Sequence, residues 1–375
     1  MNREDFAIAF SEKEAEEAIK EVSLKIKRIF PKKIYCLIVL FTPGYSPAQI
    51  LKTINFTLNP EKLFGLQAPW LIFEDKTLSK GIVVCCINKN ELFLHEASLE
   101  AKKSEEIESF FHTAFKNIRK KDYFFLSFLS PAINPSQYLN GLKLSMGEVF
   151  GLLGAGYMKK YAANSYQIVN NNIEEGMAAI ALKGLDVYFL QLGGYVPLGK
   201  PFTITKIIPS RNLIMEINGN PAVEIYRYYA EEKYNDFMKK KIFSLYPLGI
   251  KKNGSLQLVN VIEYLQDGSL MYTGELKEGS QAHMMFLDTT SLFNDARAGL
   301  LSLQRKGQGL VFIVNSLSRK NILKDLAVEE IRFIKQTLGK ESKIIGIYSD
   351  YALSNNQEKG FVDLETGNIL LTLWD

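Results

Sequence analysis

The chain is poor in the residues that most often carry chemistry: its 375 residues include three histidines, three cysteines and two tryptophans. His95, His112 and His283 never fall at metal-ligand spacing, so no metal site is expected. Cys36, Cys85 and Cys86 lie inside the apolar runs "IYCLIVLF" and "GIVVCCIN". An odd number of thiols in such runs excludes a disulfide framework and predicts free, buried cysteines in a reducing compartment. No apolar run reaches the roughly 18 residues of a membrane span, and the opening "MNREDFAIAFSEKEAEEA" has no apolar stretch of signal-peptide type. No membrane insertion and a cytoplasmic location are the expectations. Excess charge of one sign is also missing: 45 basic residues stand against 41 acidic ones, interleaved, with no basic stripe carrying aromatics, which excludes nucleic acid as a partner. There is no G-x-S-x-G elbow, P-loop, H-E-x-x-H or paired-cysteine motif, hence no catalytic constellation and no cofactor to expect. That counts against an enzyme, for which Asp350, His283 and Asp288 would be the titratable candidates.

What is abundant is core: 47% of residues are hydrophobic, and the length predicts two domains or half-domains of about 150–200 residues each. Ser11 to Ile29 reads as an amphipathic helix with Ser11 and Glu14 as a capping box. The continuous apolar run "KIYCLIVLF" reads as a strand buried on both faces, and "DYFFLSFL" reads as a further strand. "GLLGAG" at Gly151 to Gly156 has the spacing G-x-x-G-x-G, which is not the dinucleotide fingerprint, and reads as a tight glycine loop at a strand end. Lys183 and Gly184 signal a hairpin. Helices are predicted over 291–304 and 326–338, and strands at "GLVFIVNSL", "SKIIGIYS" and "GNILLTLW". No linker and no short repeat stands out, so the halves are expected to pack closely, with a boundary near Gly199. The reading is an α+β protein of two related halves, 1–198 and 199–375. Their mixed sheets would pack as a layered sandwich with helices on the outer faces.

"LGGYVPLGKPFTIT" at Leu192 to Thr205 places three glycines and two prolines between strand-like runs, the composition of a shaped loop that could wall a site. Read onward through "KIIPSRNLIMEINGNPAVEIYRYY", it resembles the start of the C-terminal half of the FIST domain, a sensory module of bacterial signal transduction. The positions that carry the likeness are Gly194, Tyr195, Pro197, Gly199, Thr205, Ile217 to Gly219, Pro221 and Ala222. "YPLGI", "DGSLMYTGELKEGSQAHMMFLD" and the upstream "GLLGAGY" agree. The resemblance implies a stand-alone sensor that binds a small molecule, an amino acid among the candidates, and signals to a protein partner. It implies a ligand site drawn from Gly154, Gly193, Gly194, Tyr195, Pro197, Asn315, Ser316, Arg319, Tyr348 and Asp350. Arg319 would face a carboxylate and Asp350 an amino group. Two motifs depart from the family pattern: Val314, Asn315 and Ser316 replace Phe-Ser-Cys before Arg319, and Tyr351-Ala352 replaces Gly-Glu after Tyr348. The alternatives are an enzyme acting on a small polar metabolite and an interaction scaffold without a ligand.

Overall fold

The structure, a computed structural model, describes residues 5–31, 33–88, 93–99, 104–147, 150–157, 165–230, 235, 242–252, 255–273, 276–355 and 363–375. One supersecondary unit recurs three times. The first copy runs β1 (Phe6–Ser11), α1 (Ala15–Ile29), β2 (Cys36–Phe41), α2 (Pro47–Thr57), β3 (Lys62–Gln67), a two-stranded arm of β4 (Trp70–Phe73) and β5 (Lys76–Leu78), and β6 (Ile82–Ile87). The second runs β7 (Phe93–Leu99), α3 (Ser104–Ala114), β8 (Phe124–Leu129), α4 (Pro135–Met146), β9 (Gly151–Gly156), an arm of β10 (Gln167–Val169) and β11 (Asn172–Glu174), and β12 (Met177–Lys183). The third begins with β13 (Val187–Leu192) and is interrupted by an insertion. The insertion comprises β14 (Tyr195–Ile208), β15 (Leu213–Ile217), β16 (Asn220–Pro221), α5 (Glu224–Ala230), β17 (Leu248–Lys252), β18 (Ser255–Tyr264), β19 (Leu270–Thr273) and β20 (Gln281–Leu287). The unit then resumes with α6 (Thr289–Gln304), β21 (Leu310–Ser316), α7 (Leu317–Leu323), α8 (Leu326–Leu338), β22 (Lys343–Ser349), an arm of β23 (Tyr351–Asn355) and β24 (Asp363–Glu365), and β25 (Ile369–Trp374).

Three six-stranded sheets follow one plan: β1-β6-β2-β3-β10-β11, β7-β12-β8-β9-β23-β24 and β13-β25-β21-β22-β4-β5. In each, the second and third strands of the unit run parallel. The last two places are filled by the arm of another unit, so the arms are exchanged cyclically. The insertion forms the fourth sheet, β14-β20-β17-β18-β19-β15-β16, in which β14 also pairs with β15.

The inner faces of the three sheets meet in one core that includes Ile38, Leu126 and Phe312, with Trp374 stacked on Phe312 at 5.7 Å. Helices cover the outer faces: α1 and α2 bury Ile19, Val22 and Ile50, α3 and α4 bury Ile107 and Leu139, and α6 and α8 bury Leu300 and Ile331. Coverage on both sides explains why β2 and β6 read as unbroken apolar runs, and β8 and β25 as runs broken only by Ser127 and Thr372. The α+β class, the mixed sheets and the outer helices are as the sequence predicts.

Four local expectations are corrected. Ser11 is the last residue of β1, held opposite Ile82, so it cannot cap a helix; α1 starts at Ala15 with Glu14 in the cap position. Lys183 and Gly184 do not turn a hairpin, because β12 already has β7 and β8 on its two edges and β13 joins β25 in another sheet. "GLLGAG" is itself strand β9: a Cβ on Gly154 would lie 2.7 Å from the Ser127 carbonyl oxygen, and one on Gly156 2.1 Å from Tyr351 Oη, so the glycines admit close neighbours. In the Leu192–Thr205 stretch only Gly193 and Gly194 connect strands. Pro197 and Gly199 lie inside β14, where the register with β20 breaks between Leu198 and Phe202.

Candidate functional site

Each unit places a hydroxyl residue at the end of its second strand: Thr42, Ser130 and Ser316. Thr42 exchanges bonds with Gly81, its N–H donating to the carbonyl at 3.1 Å and its Oγ1 accepting from Gly81 N–H at 3.0 Å. The Ser130 N–H donates to the Gly176 carbonyl at 2.7 Å. Three residues on, Tyr45 Oη donates to the Lys13 carbonyl just beyond β1 at 2.6 Å. In the third unit the same place after Ser316 is held by Arg319, whose Nη1 donates to the Gly193 carbonyl just beyond β13. Arg319 is thus a charged version of a tie that joins the first and second strands of the unit.

Around it lies a buried polar cluster. Arg319 is 1% exposed and Glu330, from α8, 3%. Nε and Nη2 both donate to Glu330 Oε1, at 2.9 and 2.6 Å, while Asn315 Nδ2 donates to Oε2 at 3.3 Å. Ser316 caps α7: its Oγ accepts from Arg319 N–H at 3.4 Å and shares a hydrogen bond with Ser318 Oγ at 2.7 Å. Asn260 Nδ2, from β18, reaches Ser318 Oγ at 3.4 Å, which ties the fourth sheet into the cluster. The Tyr195 hydroxyl and Asn260 Oδ1 are buried and have no hydrogen-bond partner among the described residues, and the Tyr348 hydroxyl is buried beside Asn315. Burial pushes the Tyr195 phenol up to about 12, with Arg319 pulling it down and Glu330 pushing it further up. Burial also raises Tyr348, reinforced by Glu330 and opposed by Arg319 and Asn315.

The fold therefore brings together Gly193, Tyr195, Asn315, Ser316, Arg319 and Tyr348 of the residues singled out in the sequence. Gly194 is adjacent in the chain; its carbonyl accepts from Asp288 N–H at 2.9 Å, and a Cβ there would lie 3.0 Å from Leu292 Cα. Gly154 and Asp350 belong with the second sheet. Gly154 pairs with Leu353, and the Asp350 N–H donates to the Gly156 carbonyl at 3.1 Å; burial raises Tyr157 and Tyr351, and the Asp350 charge adds to it. Pro197 is exposed opposite Met285. The carboxylate that answers Arg319 is Glu330, so Arg319 does not wait for a ligand anion. Glu330 was missed in the sequence, although a signal exists: it falls on the buried stripe of α8 formed by Ala327, Ile331, Ile334 and Leu338, where a lone acid requires a partner. Asn260 gave no such signal inside "SLQLVNVIEYL". His112 is exposed on α3, and His283 lies on β20 with no partner for Nδ1 among the described residues.

From the outer side of α7, Lys320 Nζ sits 3.5 Å above the centroid of Trp70, on the exchanged arm of the first unit, and burial lowers its pKa. One short helix thus carries a cation into the cluster and the next cation onto another unit.

These features define an α+β protein with an internally neutralised polar cluster at a strand end. The FIST N domain matches residues 36–220 and the FIST C domain residues 222–350. The chain belongs to the FIST family of signal-transduction sensory domains. No curated protein matches it. Among solved structures, a cyanuric acid hydrolase, described as an evolutionary innovation by structural concatenation, is similar at 9% identity over 50% of this chain and 71% of that one, with a TM-score of 0.27. Among the described residues no helix is long and apolar enough to cross a membrane.

Proposed function

We propose that the protein is a non-enzymatic cytoplasmic sensor that binds a small polar metabolite, an amino acid or a close relative, beside the Arg319–Glu330 pair and reports it to a signalling protein. The observation that carries this reading is a pair of polar groups, each at least nine-tenths buried, left unpartnered around a satisfied ion pair: Tyr195 Oη and Asn260 Oδ1, with the buried Tyr348 phenol beside them. An orphaned buried polar group costs about 1–3 kcal/mol, a cost that a ligand completing the set removes. Two phenolic donors suit a carboxylate, and an amide oxygen suits an ammonium. The contact of Lys320 with Trp70 offers a route outward, since a shift of α7 on binding moves both.

The test is a thermal-shift panel of amino acids and small carboxylates. A panel member should raise the melting temperature of the parent. Tyr195→Phe should remove that rise while leaving the melting temperature without ligand equal or higher, because it deletes an orphaned hydroxyl, and Tyr348→Phe should remove the rise as well. If no panel member shifts the parent, the ligand class is wrong; if both variants keep the shift, the site lies elsewhere.

A further inference from the structure

The first strands of the first and third sheets are both edge strands, and they are protected unequally. In β1 the Asn88 N–H donates to the Asp5 carbonyl, so by antiparallel alternation Ala7 and Ala9 bond to β6 while Phe6, Ile8 and Phe10 turn their backbone groups outward. That edge is closed: Lys343 Nζ donates to the Phe6 carbonyl at 2.6 Å, Lys25 Nζ to the Phe10 carbonyl at 3.0 Å, and Phe10 packs on Phe73 with centroids 4.4 Å apart. Lysines placed on an edge in this way block the addition of a further strand.

In β13 the phase is set by Asp186 and Asp375, which exchange both backbone bonds at 3.1 and 3.0 Å. Tyr188 and Leu190 therefore bond to β25, and Val187 and Phe189 turn their N–H and C=O groups outward. Among the described residues no strand, lysine or other group bonds to them, and Val187 to Leu190 are all half-buried. A cleft lies on each face of this edge. One, of about 310 Å³, is lined by Tyr123, Phe124 and Phe189, with Lys121 and Asp122 at its side. The other, of about 380 Å³, lies against α6 and is lined by Tyr188, Leu190, Gly299, Ser302 and Lys306, one cation and no acid.

We propose that β13 is a docking edge for an extended segment of a partner protein that carries aliphatic or aromatic residues on one face and acidic residues on the other. Pairing with Val187 and Phe189 would satisfy their outward groups. The apolar side chains would enter the Phe124 cleft, and the carboxylates would meet Lys306 and Ser302 on the α6 side. Main-chain pairing supplies affinity, and the two clefts fix register and partner.

The probe is a pool of fluorescein-labelled octapeptides alternating Val, Ile or Phe with Glu or Asp, read by fluorescence anisotropy on the full chain. Saturable binding in the micromolar range is expected, and about tenfold weaker binding by a pool with Lys in place of the acids. Methylating alternate backbone nitrogens should abolish binding in one phase and spare it in the other, a control that needs no change to the protein. Val187→Pro removes an outward donor without touching the β25 ladder, and Lys306→Glu reverses the lone cation; each should weaken binding about tenfold or more. The proposal is overturned if no pool saturates up to millimolar peptide, or if peptides methylated in either phase bind as well as the parent.

Discussion

Replacing Arg319 by Met removes three donors from a site where its own side chain is 1% exposed and that of Glu330 4%. Glu330 is then left as a buried carboxylate with Asn315 as its remaining donor, and the Gly193 carbonyl loses its partner. Breaking a buried pair from one side costs about 3–5 kcal/mol, and the orphaned carbonyl adds about 1 kcal/mol, so Arg319→Met should lower stability by about 4–6 kcal/mol. The double variant Arg319→Met, Glu330→Leu leaves no buried charge and should lie only about 1–3 kcal/mol below the parent, well above the single variant. Urea unfolding followed by tryptophan fluorescence gives the values, since Trp374 is fully buried against Phe312. A double variant as unstable as the sum of the two singles would refute the reasoning, because it would mean that the side chains act independently.

Two further outcomes are expected. Limited proteolysis near Gly199 should not release two stable fragments, since β4 of the first half completes the third sheet against β22 and β13 pairs with β25; clean separation into two folded pieces would reject the shared interface. The three thiols should label slowly in native protein and fully after denaturation: all are buried, and burial raises Cys85 well above its ordinary value and Cys86 to about 12, so neither forms a thiolate near neutral pH. Rapid native labelling of either would show a misplaced strand face.

Much of the fold is legible in the sequence because burial on two faces and burial on one leave different patterns. The doubly covered strands read as apolar runs, and α8 is predicted to its observed ends, 326–338. The threefold repeat is harder to see, since it is carried by backbone geometry and only thinly by residues. Its trace is "TPGYSP" at Thr42 to Pro47 against "SPAINP" at Ser130 to Pro135, in which Ser46 and Asn134 accept from the N–H groups of Gln49 and Gln137 in the helices that follow. The third copy, "SLSRKN", has lost both prolines. Strand partners over long range leave no local mark either, which is why the β12–β13 hairpin was wrongly expected. At the candidate site, Arg319, Asn315 and Tyr348 could be singled out by resemblance, whereas the acid that neutralises Arg319 is known only once α8 is packed beside α7.

The exchanged arms also set a timetable for synthesis. Phe73 pairs with Ile345, so the β4–β5 arm emerges long before the strand it joins. At about 5–20 residues per second, roughly 270 intervening residues take on the order of 15–50 s. Throughout that interval the arm presents an unpaired edge, and the first sheet is itself incomplete until β10 arrives. The core that the three sheets share cannot close before both halves exist, which makes a chaperone on the ribosome, or pairing with the arm of a second nascent chain, the natural competitors of correct folding.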